Sequence, residues 1–452
     1  MKKKLLIALM LIICLLSLFA CGESFDFKAL QGGPNLTDEV IGNGGVAVQK
    51  GDYIYMINGM ANIIDDNDFG DAIRGAIYRL KVDNGKITES LIMAPKAFYH
   101  RDQGMGLFIN GDKLYYTSPS NQKDKDGHRL ISHYDVFSVN LNGTGTVRIG
   151  TFTDMTKSRF AVLNSVVCIV FERSEKIYML KENGQVSECL QDYQQVVIGD
   201  DNCIYYTKEV KKEGQIEGIE NFNKVYKMPF LGEEEEVELN GKNLAEDEYY
   251  VQLQKFENGV LYYSKNKKAG ANPLNLFYAY RNGKEILLTA SEVSNPYFLG
   301  FDGNKYLGTL FLKDSNLILI KASENEDEAE NDKPYYITSI NGMPTYLFTD
   351  GNELYFLLNQ KLYKVEIFDG LNNPVKESVK IVQLLDKDVN IERFYPIKLG
   401  NYIYYIGSGD KAYYLDYLFR IDLKEPKNQE PERLGELSQE DKDLKIEDEK
   451  ET

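Results

Sequence analysis

The chain has 452 residues, 43% hydrophobic and 12% aromatic, enough apolar mass for a large core and too much for a disordered chain. Lys and Arg number 52 against 69 Asp and Glu, and removal of residues 1–20, with Lys2, Lys3 and Lys4, would leave 49 against 69. Such an anion is repelled by nucleic-acid phosphates and by anionic lipid headgroups, so no nucleic-acid partner is expected. Three His in the whole chain argue against a histidine-rich metal centre.

Met1 to Lys4 is a short basic start, and Leu5 to Phe19 is an almost unbroken apolar run. Its position and length fit a secretory signal better than a spanning helix, and no later stretch is apolar enough to cross a bilayer. The run ends Leu18-Phe19-Ala20-Cys21, followed by Gly22-Glu23-Ser24. This resembles the lipobox of bacterial lipoproteins, which implies cleavage before Cys21, acylation of its thiol and a lipid anchor on the extracytoplasmic face of the cell membrane. An ordinary signal peptide with an incidental cysteine is the rival reading. The division expected is a signal peptide over 1–20 and a lipidated N-terminus and linker over 21–36. Cys168, Cys189 and Cys203 then remain, an odd number. Cys168 and Cys203 fall on strand positions as small buried hydrophobes, and a Cys189–Cys203 bridge stays open.

The rest is a repeat. A turn residue, two variable residues and a short aromatic strand recur as Gly51-Asp52-Tyr53-Ile54-Tyr55-Met56, Gly111-Asp112-Lys113-Leu114-Tyr115-Tyr116 and Asp201-Asn202-Cys203-Ile204-Tyr205-Tyr206. Further copies start at Asn258, Gly351 and Gly400, with weaker ones at Asn164 and Gly303, so that the starts lie 37 to 60 residues apart. A second motif follows each copy, as in Ile77-Tyr78-Arg79-Leu80, Val225-Tyr226-Lys227-Met228, Leu362-Tyr363-Lys364-Val365 and Leu418-Phe419-Arg420-Ile421. Asn84-Gly85, Asn142-Gly143, Asn183-Gly184 and Asn282-Gly283 predict tight hairpin turns, since Asn and Gly accept the positive φ of a type I′ turn.

Short strands in units of about fifty residues, apolar on both faces and free of long helical periodicity, predict an all-β propeller. Eight blades over 37–438 are expected, with seven as the alternative because the Asn164 and Gly303 copies are degenerate; separate sandwiches are a third arrangement. Residues 439–452 read as an acidic disordered tail. Asn43-Gly44-Gly45-Val46-Ala47 ahead of Gly51-Asp52-Tyr53-Ile54-Tyr55, then Ile77-Tyr78-Arg79-Leu80, resembles a family of clostridial lipoproteins. That family carries a domain of unknown function, number 5050 in its series, itself distantly similar to the propeller of low-density-lipoprotein receptors. The resemblance implies a fold and an envelope location and supplies no catalytic residues.

Local motifs for chemistry are lacking: there is no Gly-x-Ser-x-Gly elbow, phosphate loop or His-Glu-x-x-His helix. His128 and His133 lack accompanying cysteines and read as loop and strand-end residues, and His100 reads as structural. Asp65, Asp66, Asp68 and Asp71 around Gly70 are a weak calcium candidate, with Asp124 and Asp126 beside Gly127 a second; position twelve from Asp65 is Ala76, which departs from the EF-hand pattern. A solvated acidic loop is the competing reading, and no other cofactor is expected. The tyrosines, 32 in all, are expected mainly as packing between blades, with a few available to stack on sugar rings. The function expected is a lipid-anchored, non-catalytic scaffold that binds an envelope protein or peptide. The alternative is a carbohydrate-binding or carbohydrate-active protein with its site at the channel mouth; ligand-binding residues are not identifiable from sequence.

Overall fold

The computed structural model describes residues 29–435 apart from 60–74, 95–104, 121, 129, 131, 154–156, 173, 182–184, 211–221, 238, 240–248, 268–274, 291–293, 300–306, 323–334, 369–379, 386–395, 409–415 and 425–429. The protein is all-β: among the described residues there is no helix, and hydrogen bonding groups the strands into eight antiparallel sheets. Each sheet is a run of consecutive strands, spanning in turn 40–94, 108–153, 158–191, 195–236, 249–290, 294–339, 345–383 and 397–433. Seven have four strands, and the first has a fifth, the leading pair Val40–Ile41.

The two sequence motifs occupy fixed places in this plan. The first forms the second strand of each four-strand unit, as in Tyr53–Ile57, Cys203–Val210 and Tyr402–Ser408, and the second forms the third, as in Ile77–Asp83, Phe222–Pro229 and Asp416–Asp422. The weak copies at Asn164 and Gly303 supply Val166–Phe171 and Leu307–Lys313 in the third and sixth sheets. Asn84-Gly85 and Asn282-Gly283 form the expected two-residue turns, each Asn at positive φ. Asn142-Gly143 differs: the Gly143 N–H closes a turn onto the Asn140 carbonyl, while the Asn142 side chain accepts from the Thr144 N–H. Asn142 is thereby spent on capping a longer connection. Asn183-Gly184 lies outside the described residues.

Why both faces of the central strands are apolar follows from the packing. Successive side chains of a strand point to opposite faces. Tyr205 packs with the fifth sheet and Tyr206 with the third; Tyr262 meets the sixth and Tyr263 the fourth; Tyr404 meets the first and Tyr405 the seventh. Each sheet is thus filled from both sides, and the clusters run without a break from the first sheet to the eighth and back to the first. The ring closes without a shared strand: Leu399, Tyr404, Ile406 and Leu418 of the last sheet pack with Tyr55 and Tyr78 of the first. The first strands of neighbouring sheets approach one another, while fourth strands such as Glu235–Glu236 and Glu432–Arg433 are exposed, which places the former inside the ring and the latter on its rim.

The meander sends the first-to-second and third-to-fourth connections to one face of the ring. The second-to-third connections leave from the other end; they are long in the first, second and fourth sheets but only two to four residues in the third, sixth and seventh, and in the sixth and seventh sheets the third-to-fourth connections are the long ones.

Candidate functional site

On the tight-turn face, residues 30–38 lie as a strap across the first two sheets. Leu30 N–H donates to the Asn142 carbonyl at 2.9 Å. The strap carbonyls then capture two buried cations. Arg79, fully buried on the third strand of the first sheet, donates to Gln31 O at 2.7 Å and Gly32 O at 2.9 Å, and pairs with Glu89 at 2.8 Å. Lys50, 2% exposed, donates to Leu36 O at 3.1 Å and to Gly111 O of the second sheet at 2.7 Å; among the described residues it meets no carboxylate. Carbonyls can hold a buried ammonium only if they converge on it, so the strap's path is set by these two side chains. Beneath it is a cavity of about 250 Å³, lined by 32–36, Lys50, Gly111, Asp112 and 140–142. These are binding groups: an ammonium, a carboxylate and amides.

The basic residue at the third place of the second motif recurs as a partner of the motif-one tyrosine directly across the strands. Arg79 faces Tyr55, Lys227 faces Tyr205, Lys364 faces Tyr355 and Arg420 faces Tyr404. In the fourth sheet Asp201 accepts from Tyr205 Oη at 2.8 Å and from Lys227 at 3.1 Å. Burial raises the Asp201 carboxyl, but these two donors outweigh it and hold it below the usual range. A buried pair, Lys265 with Glu285 at 2.5 Å, lies in the fifth sheet, where Tyr263 also donates to Glu285. The third place is basic in four of the eight copies and reads as variable from sequence; its pairing with tyrosine required the register.

Cys21, Asp65, Asp66, Asp68, Asp71 and His100 lie outside the described residues. Asp124 Oδ1 accepts the N–H groups of Asp126 and His128, both at 2.9 Å, and these bonds, the His128 N–H first, hold its carboxyl below the usual carboxylate range. That carboxylate caps its own loop. His128 is exposed beside Asp124, whereas His133 begins a strand and contacts Ser132. Among the described residues no group of three or more His, Cys, Asp or Glu could hold a metal. Cys168, Cys189 and Cys203 are free thiols, so no 189–203 bridge forms: Cys189 lies on the outer strand of the third sheet and Cys203 on the fourth sheet. Burial pushes the Cys168 thiol up to about 12.

No family model matches the chain, and no curated protein matches it. Among solved structures it is similar to a prolyl endopeptidase, at 10% identity over 75% of this chain and 50% of that one, with a TM-score of 0.47. The chain therefore spans half the length of that protein. It is also similar to apo AztD from Citrobacter koseri, at 11% identity over 81% and 94% with a TM-score of 0.43. Virginiamycin B lyase from Staphylococcus aureus follows at 13% over 68% and 92%, with a TM-score of 0.37. At these values the likenesses carry no argument about activity, and the propeller rests on strand order and on the closed run of interfaces.

Proposed function

We propose that the protein is a lipid-anchored, extracytoplasmic propeller that acts as a non-catalytic scaffold for an envelope protein or peptide, in keeping with the lipoprotein family it resembles. The observation that carries the reading is the contrast between the two ends of the first two sheets. One end is braced by the strap and linked onward to the fifth sheet by turn-to-turn hydrogen bonds; from the other leaves the 120–132 connection, with Gln122 to His128 exposed, on a ring packed from both sides of every sheet. Loops on a rigid frame are the usual place for recognition. Lipid attachment at Cys21 would hold this frame at the membrane.

In-cell cross-linking of the anchored protein followed by mass spectrometry tests the proposal. The expected result is one recurrent envelope protein whose capture falls when exposed Lys125 and Asp126 of the 120–132 connection are charge-reversed. Capture unaffected by changes across that face, or a glycan bound tightly by the purified chain in place of any protein, would overturn it.

A further inference from the structure

We infer that the tight-turn face of the first two sheets is the side turned toward the lipid surface; the inference rests on the reading that Cys21 carries the lipid. The strap supplies the reason. Its first tie is Leu30 to the Asn142 carbonyl, nine residues beyond Cys21. At no more than about 3.6 Å per residue, that tie lies within about 32 Å of the acylated cysteine however the intervening chain is arranged. If the strap were free as far as Val40, where the first strand begins, nineteen residues would allow about 68 Å, enough for the ring to present any side. The buried cations keep the tether short, because peeling the strap away would strip Arg79 of two carbonyls and Lys50 of one.

The ties through Asn142 and Lys50 fall at one end of the sheets, while Arg79 reaches the strap from mid-strand, opposite Tyr55. Asn142 is in the third-to-fourth connection of the second sheet, Lys50 precedes the first-to-second turn of the first, and Gly111 is in the same turn of the second. The seven-residue strand Lys113–Pro119 carries the second sheet about 20 Å from that end before the 120–132 connection begins. Charge does not set this orientation: Asp52, Asp83 and Asp112 are exposed on the tethered face, so it has no attraction for anionic lipid. The tether alone does so, and it leaves the far end of the second sheet, where the 120–132 connection begins, directed away from the bilayer.

The chain contains no Trp, so a single introduced one is a clean fluorescence donor. The lipidated full-length protein, as Asp112→Trp or Lys125→Trp, is reconstituted in phosphatidylcholine vesicles containing a dansyl-headgroup lipid; Asp52→Trp repeats the first position on a different sheet. Energy transfer from Asp112→Trp and Asp52→Trp is expected to exceed that from Lys125→Trp by about twofold or more, given the ~20 Å between the two ends. Loosening the strap with Lys50→Met and Arg79→Leu together is expected to shrink the difference. Equal transfer from both ends, or stronger transfer from Lys125→Trp, would overturn the orientation while leaving lipid anchoring intact. Flotation with the vesicles reports the anchoring separately: if the Cys21→Ser chain floats as well as the native one, the anchoring reading fails and the orientation falls with it.

Discussion

Individual side chains in this protein are chosen as much for what they hold together as for apolar bulk. Asn223 places both ends of its carboxamide on Val251 of the next sheet, donating to the carbonyl at 2.9 Å and accepting from the N–H at 2.7 Å, so it stands in for a peptide group. Tyr193, buried between the third and fourth sheets, shares its one hydroxyl hydrogen between the Phe171 and Lys176 carbonyls and closes the turn between them. Asp201 binds the Lys227–Tyr205 pair through its ionised form. A carboxyl whose folded pKa is depressed stabilises the fold above its unfolded pKa, about 3.9, and loses that contribution as pH falls through the folded pKa. Asp201→Asn is therefore expected to cost about 1 kcal/mol at pH 7, for a half-exposed charged hydrogen bond, and progressively less from about pH 4 downward. Urea midpoints of the two proteins at pH 7, 5 and 3.5 measure this, and a gap as wide at pH 3.5 as at pH 7 would contradict it.

At the scale of elements, turns do more than reverse the chain. Asn110 of the second sheet donates to Ser165 O of the third, Asn202 of the fourth accepts from Asn164 N of the third, and Asp200 accepts from Gly259 N of the fifth. The Asn and Asp that mark a turn in the sequence thus also bridge to the neighbouring unit. The Asn43-Gly44-Gly45 run, which stood out in the sequence, stitches the first two sheets. Asn43 pairs with both peptide groups of Ile109, Gly44 N–H donates to Leu107 O and Leu107 N–H donates to Gly45 O. Backbones approach so closely here that a Cβ on Gly106 would lie 2.1 Å from the Gly44 carbonyl oxygen. Gly111 also has a positive φ but nothing within 4 Å of a Cβ. Gly106→Ala is expected to destabilise by more than about 3 kcal/mol and Gly111→Ala by about 1 kcal/mol, a contrast that denaturant titration of the two variants measures. Equal losses would mean that backbone conformation, and not the close approach, dominates.

The whole molecule is a ring in which every sheet depends on two neighbours, and the last packs on the first without exchanging a strand. Arg420 of the eighth sheet donates to the Gly85 carbonyl of the first across this closure, while pairing with Glu432 at 2.6 Å. The strap reinforces the adjoining first and second sheets. A chain beginning at residue 39 lacks the carbonyls of Gln31, Gly32 and Leu36, and is expected to lose about 2–3 kcal/mol relative to one beginning at residue 22. Replacing the stranded lysine in the short chain, with Lys50→Met, should recover part of that loss, because a buried charge without a counter-ion costs more than an apolar substitute, whereas Arg79 keeps Glu89. If Lys50→Met instead deepens the loss, the strap acts through packing and not through its carbonyls.

The strands, their two motifs and the propeller were legible in the sequence because each rests on local properties: period-two side chains, turn residues with positive φ, and a unit that cannot bury both faces alone. Even Tyr205 and Tyr206 can be placed on opposite faces by parity. What they face was decided only by the ring, which brings the third and fifth sheets to either side of the fourth. The strap was not legible for the same reason. Residues 30–38 show no periodicity, and their positions come from Lys50, Arg79 and Asn142, which lie between about a dozen and more than a hundred residues further along the chain. Local pattern specifies an element; only closure of the chain in space specifies which backbone carbonyls will meet a buried cation.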